Sequence, residues 1–293
     1  MTRLSPLVFF GTEDLSAEIL HGLINSDFEI EAVITKPDLI SGRGRKKRPT
    51  KVKQLALKSN IKVFEVANKD DIRQAVANTT GQTGILAMFG KIIPEDVITA
   101  FKNGIINVHP SLLPKHRGPS PIISSILAGD KATGVSIMLL VNEVDAGPVY
   151  SQAKLKLTGK ETIVELNNKL ISLSNDLLIR TLADIENGLE ARPQDHNKAT
   201  FCHMIKKSDG ILNPTLYTAQ ELERQIRAYN IWPKSRLRYR DREIVVLKAT
   251  VGEKPDTRLS IRCKDNNYLN IKTVLSPSGK PTTAQQYINN FLS

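Results

Sequence analysis

The sequence predicts an α/β fold, a mostly parallel sheet with helices on both faces, followed by a small all-β domain. Two observations carry this. In the first 160 residues short apolar runs alternate with amphipathic stretches, and strands alternating with helices imply a parallel sheet. Past residue 230 the chain breaks into short β-like segments, the pattern of a small barrel or sandwich. A length of 293 residues suits about two domains. Apolar residues at 40% and charged residues at 24% exclude a disordered or fibrous chain.

Each element follows from local pattern. Residues 7–10 read as a buried strand. Asp14 or Ser16 is expected to cap the next helix, with Leu15, Ile19, Leu20 and Leu23 on one face. Residues 30–35, 62–66 and 85–89 are the next strands, with helical patterns at 51–59 and 70–78 between them. Pro94 suits the first turn of a helix running to Phe101. Residues 105–109 and 134–141 complete six strands of a Rossmann-like sheet. A helical pattern at 162–187 closes this half, with Gly188 as its C-cap. Residues 189–208 show little periodicity and are read as a linker. A helix at 219–229 opens the second domain, and strands are expected at 235–240, 243–251, 258–264 and 268–275. The domain boundaries are therefore set at 1–188, 189–208 and 209–293.

Lys and Arg number 41 against 30 Asp and Glu, a net charge of +11. A folded chain this basic suggests a polyanionic partner, nucleic acid or an anionic membrane surface. Two cysteines, Cys202 and Cys263, make no disulfide framework, which suits the cytosol. The first apolar run is too short for a secretory signal. The longest, 135–141, falls far short of the ~20 residues of a membrane span. A soluble, cytoplasmic chain that makes no use of a membrane is expected.

The most informative stretch runs from Ile105 to Gly118, Ile-Ile-Asn-Val-His-Pro-Ser-Leu-Leu-Pro-Lys-His-Arg-Gly. On a strand, residues i and i+2 share a face. Asn107 and His109 therefore point one way, and Pro110 holds His109 extended. An amide and an imidazole stand side by side at the strand's carboxyl end, where open α/β sheets bind ligands. A lone histidine there is more often a satisfied core residue; a polar pair in an apolar strand argues for chemistry. Asp145-Ala-Gly147 reads as a tight turn presenting a carboxylate, a commonplace motif by itself. Adjacent Cys202 and His203 lack metal-ligand spacing, and no metal is expected.

Asn107-x-His109, Ser111-Leu112-Leu113-Pro114, Arg117-Gly118 and Asp145-x-Gly147 together resemble the 10-formyltetrahydrofolate-dependent formyltransferase family, over nearly the whole chain. Phe10-Gly-Thr12 is similar to that family's opening turn. Phe89-Gly90-Lys91-Ile92-Ile93-Pro94 resembles its pterin-side segment. Lys36-Pro-Asp38 with Gly42-Arg-Gly44, and Ile226–Tyr229 with Trp232-Pro233, are similar to members that act on methionyl-tRNA. The resemblance implies Asn107, His109 and Asp145 as catalytic residues. It implies Ser111, Leu112, Leu113, Pro114, Phe89, Gly90 and Ile92 as the folate site, 10-formyltetrahydrofolate as formyl donor, and initiator methionyl-tRNA as acceptor. Residues 1–188 would then be the catalytic domain, and a monomer is expected. Departures from the usual pattern are Glu13 for Pro, Leu15 for an aromatic, Ile231 for Pro before Trp232, and Ile211-Leu-Asn213 for Ile-Asp-Trp.

The chemistry can be argued from the residues. An amine attacking a formyl carbon generates an oxyanion, to which the Asn107 amide and a protonated His109 can donate; one such donor is worth ~3 kcal/mol of barrier. Asp145, directly or through a water, can take the amine's proton.

Two basic segments bear on the acceptor. Residues 41–53 hold Arg43, Arg45, Lys46, Lys47, Arg48, Lys51 and Lys53 with no acid. Self-repulsion predicts a mobile loop that a tRNA acceptor stem would order, with Lys51 meeting only solvent. Residues 209–293 carry 14 Lys or Arg against 8 Asp or Glu. There Arg236, Arg238 and Arg240 alternate with Leu237 and Tyr239 as a basic stripe. A small barrel with such a face resembles an OB-type tRNA-binding domain. An amino-sugar nucleotide, glycinamide ribonucleotide, or a non-enzymatic nucleic-acid-binding role are the alternative readings.

Overall fold

The computed structural model describes residues 4–41 and 46–291. In chain order the first part comprises β1 (Leu7–Gly11), α1 (Asp14–Ile24), β2 (Ile30–Thr35), β3 (Leu39–Ser41), β4 (Lys46–Arg48), α2 (Lys51–Lys58), β5 (Lys62–Glu65) and α3 (Lys69–Ala77). It continues with β6 (Thr83–Ala87), α4 (Glu95–Ala100), β7 (Ile105–His109), α5 (Pro121–Ala128), β8 (Ala132–Leu139), β9 (Val149–Lys156) and α6 (Ile163–Glu186).

Seven strands form one sheet in the order β5-β2-β1-β6-β7-β8-β9. The run from β5 to β7 is parallel and β8 is antiparallel to β7. β1 and β7 are buried along their whole length, as the apolar run Leu-Val-Phe-Phe and the predominantly apolar Ile-Ile-Asn-Val require of central parallel strands. One core gathers Val8, Phe10, Ile34, Phe89, Val97 and Phe101, with the Phe10 ring edge-on to Phe89 at 5.8 Å and to Phe101 at 5.9 Å.

The second part comprises α7 (Ala219–Ala228), β10 (Ser235–Tyr239), β11 (Arg242–Gly252), β12 (Ser260–Arg262), β13 (Tyr268–Leu275), β14 (Pro281–Thr283) and α8 (Ala284–Phe291). Its strands pair antiparallel in the order β10-β11-β13-β12, with β14 on β13, as an open half-barrel. Leu222 and Ile226 of α7 and Tyr287 of α8 close its core against Leu237, Ile244, Ile271 and Val274.

The chain divides into two compact units, residues 1–121, 133–155 and 168–202 in one, and 122–132, 156–167 and 203–293 in the other. Most of the stretch read as a linker, through Cys202, packs within the first unit. Arg192 exchanges both backbone bonds with Val149, and Arg117 bonds Thr200 and Cys202 at 2.8 Å each.

Several local expectations change. The N-cap of α1 is Glu13, with no side-chain cap bond; Asp14 is the first-turn acid, and Ser16 is buried against Gly11 with no partner for Oγ among the described residues. β9, α5, β14, α8 and the β3–β4 hairpin were not foreseen. β9 alternates half-buried with exposed positions only over residues 151–156, and α5, Pro-Ile-Ile-Ser-Ser-Ile-Leu-Ala, has no charged face to betray a helical period. Among the described residues no helix is long and apolar enough to cross a membrane.

Candidate active site

Asn107 and His109 stand on one face of β7, only 5% and 4% exposed. The turn after β8 brings Asp145 to both. Asn107 Nδ2 donates to Asp145 Oδ1 at 3.4 Å, and His109 Nδ1 lies 3.6 Å from Asp145 Oδ2. His109 Nε2 is 3.0 Å from the His116 carbonyl. A carbonyl only accepts, so Nε2 carries a proton there. The backbone N–H of Gly118 donates to Asp145 Oδ2 at 2.7 Å, the shortest bond this carboxylate makes. The structure therefore brings all three expected catalytic residues together around one carboxylate.

The two turns that frame the cluster depend on glycine. Gly118 has φ +116°, and a Cβ there would lie 2.5 Å from the Cys202 carbonyl. Asp145 has φ +49°, a left-handed conformation that Asp tolerates better than most residues. At Gly147 a Cβ would lie 1.9 Å from the Leu139 carbonyl, so the turn lies flush on the end of β8.

The Ser-Leu-Leu-Pro segment is fixed largely from beneath. Ser111 is fully buried and its hydroxyl donates to the Lys115 carbonyl at 2.6 Å. Ser136 Oγ donates to Ser111 O at 2.6 Å and accepts from Leu113 N at 3.1 Å, and Gln152 Nε2 reaches Leu113 O at 2.8 Å. Leu113 is buried, and Leu112 and Pro114 are partly exposed. Ser111 and Leu113 thus shape the segment while Leu112 and Pro114 keep open surface. Across the sheet end, Phe89 is core, whereas Ile92 is 75% exposed. A Cβ on Gly90, at φ +67°, would meet Lys36 Nζ at 2.6 Å. Of the folate-site residues expected here, Ile92 offers apolar surface and Phe89 is committed to the core.

The basic residues separate. Arg43 and Arg45 lie outside the described residues, as does part of the loop expected to be mobile. Lys46 and Lys47 stand on β4, opposite Ser41 and Ile40. Lys51 does not face solvent alone: it pairs with Asp14 at 2.8 Å, and Lys53 with Asp38 at 2.7 Å and Glu65 at 2.6 Å. Acids from distant segments supply the counter-charge that the run itself lacks. On β10 the alternation is as expected, with Ser235 and Leu237 buried and Arg238 exposed. Arg236 turns back to the Lys207 carbonyl and stands 3.9 Å from Glu243. Arg240 is past the strand end, at φ +52°, with its guanidinium over the Tyr239 ring. The stripe thus reduces to Arg238, with Arg240 at the adjoining turn.

A family model described as formyl transferase matches residues 6–182, and one described as formyl transferase, C-terminal domain, matches residues 204–292. The chain belongs to the formyl transferase family. Among relatives of this formyl transferase, the methionyl-tRNA formyltransferase of Sulfurihydrogenibium sp. (strain YO3AOP1) is 37% identical over 301 residues, covering 97% of this chain and 96% of the relative. That of Thermotoga maritima is 40% identical over 233 residues, covering 78% and 74%. Among solved structures, HypX from Aquifex aeolicus in complex with tetrahydrofolic acid matches with a TM-score of 0.69 at 14% identity. That match covers 98% of this chain, which spans about half of HypX, 47%. The N-formyltransferase of Helicobacter canadensis matches with a TM-score of 0.69 at 19% identity, covering 90% and 98%. At such identities the likeness speaks for the formyl transferase fold alone.

The site is held by Arg117, which the sequence offered only within the family motif and without a role, and by Gln194. Arg117 is 1% exposed. Its Nε and NH2 donate to Gln194 Oε1 at 3.2 and 2.9 Å, and NH2 also donates to His196 Nδ1 at 3.3 Å. Gln194 lies in a stretch with neither periodicity nor motif, and no sequence signal would have found it.

Proposed function

We propose that this formyl transferase moves a formyl group from 10-formyltetrahydrofolate to the free amino group of methionyl-tRNA, making the formylated initiator used to begin translation. The observation that carries the reading is the buried Asn107–His109–Asp145 cluster at the carboxyl end of β7, on a chain aligned almost end to end with a relative of that name. Residues of the first unit fit a folate. Exposed Ile92 and partly exposed Leu112 and Pro114 offer apolar surface for a planar ring.

Within that reading each residue has a distinct task. Asn107 has a second amide N–H beyond the one directed at Asp145, and it aims that donor at the oxygen where charge develops. His109, its Nδ1 turned to Asp145, gives its Nε2–H to the same oxygen in place of the His116 carbonyl that this N–H otherwise meets. Asp145 accepts the proton that the attacking amine must lose and balances charge on the imidazole. Burial of the cluster strengthens all three effects. Folate supplies the activated formyl carbon, and its nitrogen recovers a proton as that carbon leaves. Exposed Arg238 and Arg240, with Arg43, Arg45, Lys46 and Lys47, contribute cations for the tRNA phosphates. A monomer acting in the cytoplasm completes the proposal.

The test is incubation of purified protein with labelled 10-formyltetrahydrofolate and, separately, methionyl-tRNA and an amino-sugar nucleotide. Label should pass to the aminoacyl-tRNA alone. Transfer to the sugar nucleotide in its place, or to neither, contradicts the proposal.

A further inference from the structure

We propose that Gln194 is a positioning residue for formyl transfer: it fixes the backbone turn that carries Asp145, and Arg117 fixes Gln194. The inference rests on the formyl-transfer reading and adds a residue to it.

The geometry is specific. Gln194 Nε2 donates to the Asp145 carbonyl at 2.8 Å and to the Gly147 carbonyl at 2.7 Å. Both amide hydrogens are thus spent on the two carbonyls that bracket Ala146. Oε1 accepts from the Arg117 guanidinium, which only donates. This fixes the orientation of the amide. A flip would place NH2 against guanidinium and Oε1 against two carbonyls, opposing like partners at every contact. Arg117 is itself immobilised. It is buried, its NH2 also bonds His196 Nδ1, its NH1 lies 3.7 Å from Glu143, and its backbone is laced to residues 200–202. A buried guanidinium keeps its partners because an unpaired buried charge is strongly destabilising.

The turn needs such a clamp. Asp145 sits at φ +49°, a sparsely populated region for a residue with a side chain. Such conformations persist where their surroundings over-determine them. Among the described residues, the turn's own backbone adds only the 3.3 Å contact from Ala146 N to Glu143 O. Releasing the carbonyls of Asp145 and Gly147 lets the peptide rotate and carries the carboxylate away from His109 Nδ1. A displacement of about 1 Å in a reacting group costs about 10²-fold in rate.

A purely structural tie predicts something different, namely lower thermal stability with the chemistry intact. The experiment compares wild type with Gln194→Glu, Gln194→Met and Asp145→Asn. It uses steady-state kinetics with 10-formyltetrahydrofolate and methionyl-tRNA, and an NMR titration of the His109 ring. Gln194→Glu keeps the side-chain shape and a partner for Arg117, so it decides the matter should Gln194→Met fail to fold. The proposal expects kcat to fall about 10²-fold with both KM values within twofold of wild type. It also expects the His109 titration to move in the direction seen for Asp145→Asn. Unchanged kcat and an unchanged His109 titration, whatever happens to Tm, overturn it. If wild type transfers no formyl group, the functional reading fails, and the His109 titration still decides whether Gln194 positions Asp145.

Discussion

At the scale of single residues, the site is a carboxylate with four dependants. Asp145 is reached by Asn107, His109 and the Gly118 amide, and its own backbone is held by Gln194. Gly118 is the least replaceable of these. Gly118→Ala would force a side chain into φ +116° and 2.5 Å from the Cys202 carbonyl, displacing the N–H that anchors Asp145. The variant is expected to lose about 1–3 kcal/mol of stability, seen as a lower urea midpoint. It should also lose more turnover than the fraction unfolded explains. A Gly118→Ala protein with wild-type midpoint and turnover would show that the amide is dispensable. Asn107 and His109 could be read from sequence because strand alternation dictates that i and i+2 share a face. Gly118 drew notice only as part of a longer motif, since its partner Cys202 comes from 84 residues downstream.

At the scale of elements, apolar periodicity placed the central strands and the long helix within a few residues. β7 and β13 coincide with the segments expected, 105–109 and 268–275. The elements missed are short or lack a charged face: β9 at the sheet edge, which alternates only over its last six residues, α5 with no charged face, and the short α8. The helix starts capped by side chains were not anticipated, and the one cap expected, Asp14 or Ser16 on α1, did not form. Thr218 with Glu221 and Asn68 with Asp71 form reciprocal boxes on α7 and α3, whereas α1 starts at Glu13 with no side-chain cap bond. The α3 box gives a pH prediction. The Ala67 and Asn68 amides bonded to Asp71 hold its carboxyl below the ordinary range. A depressed carboxyl contributes stability above its unfolded value, near 3.8, and loses it as pH falls through the depressed folded value. Asp71→Asn should therefore lower Tm at pH 7 and match wild type at pH 2. Asn68→Ala, which removes the cap itself, should cost ~1 kcal/mol. Equal Tm offsets at both pH values for Asp71→Asn would contradict the charged cap.

At the scale of the whole molecule, the charge of +11 has no use in the chemistry around Asp145 and calls for a polyanion. The structure sorts that charge in a way composition cannot. Lys51, Lys53 and Arg236 are committed to internal partners, while Arg238 is exposed. Arg238→Ala should lower kcat/KM for methionyl-tRNA and reduce its salt slope by about 0.7–0.9. Arg236→Ala should leave the slope alone and reduce stability. The reverse ranking in a salt titration of kcat/KM would place the tRNA on a different surface.

The central claim is that Asn107, His109 and Asp145 act as one unit in formyl transfer to methionyl-tRNA. A single-turnover measurement tests it most directly, with saturating protein, labelled 10-formyltetrahydrofolate and methionyl-tRNA, comparing wild type with Asn107→Ala, Asp145→Asn and the double variant. Wild type should form formylmethionyl-tRNA, and Asn107→Ala should slow the chemical step by about 10²–10³-fold. The double variant should be far less impaired than the product of the two single losses, as residues acting together are non-additive. Single variants at wild-type rate, or losses that simply multiply, would contradict that claim.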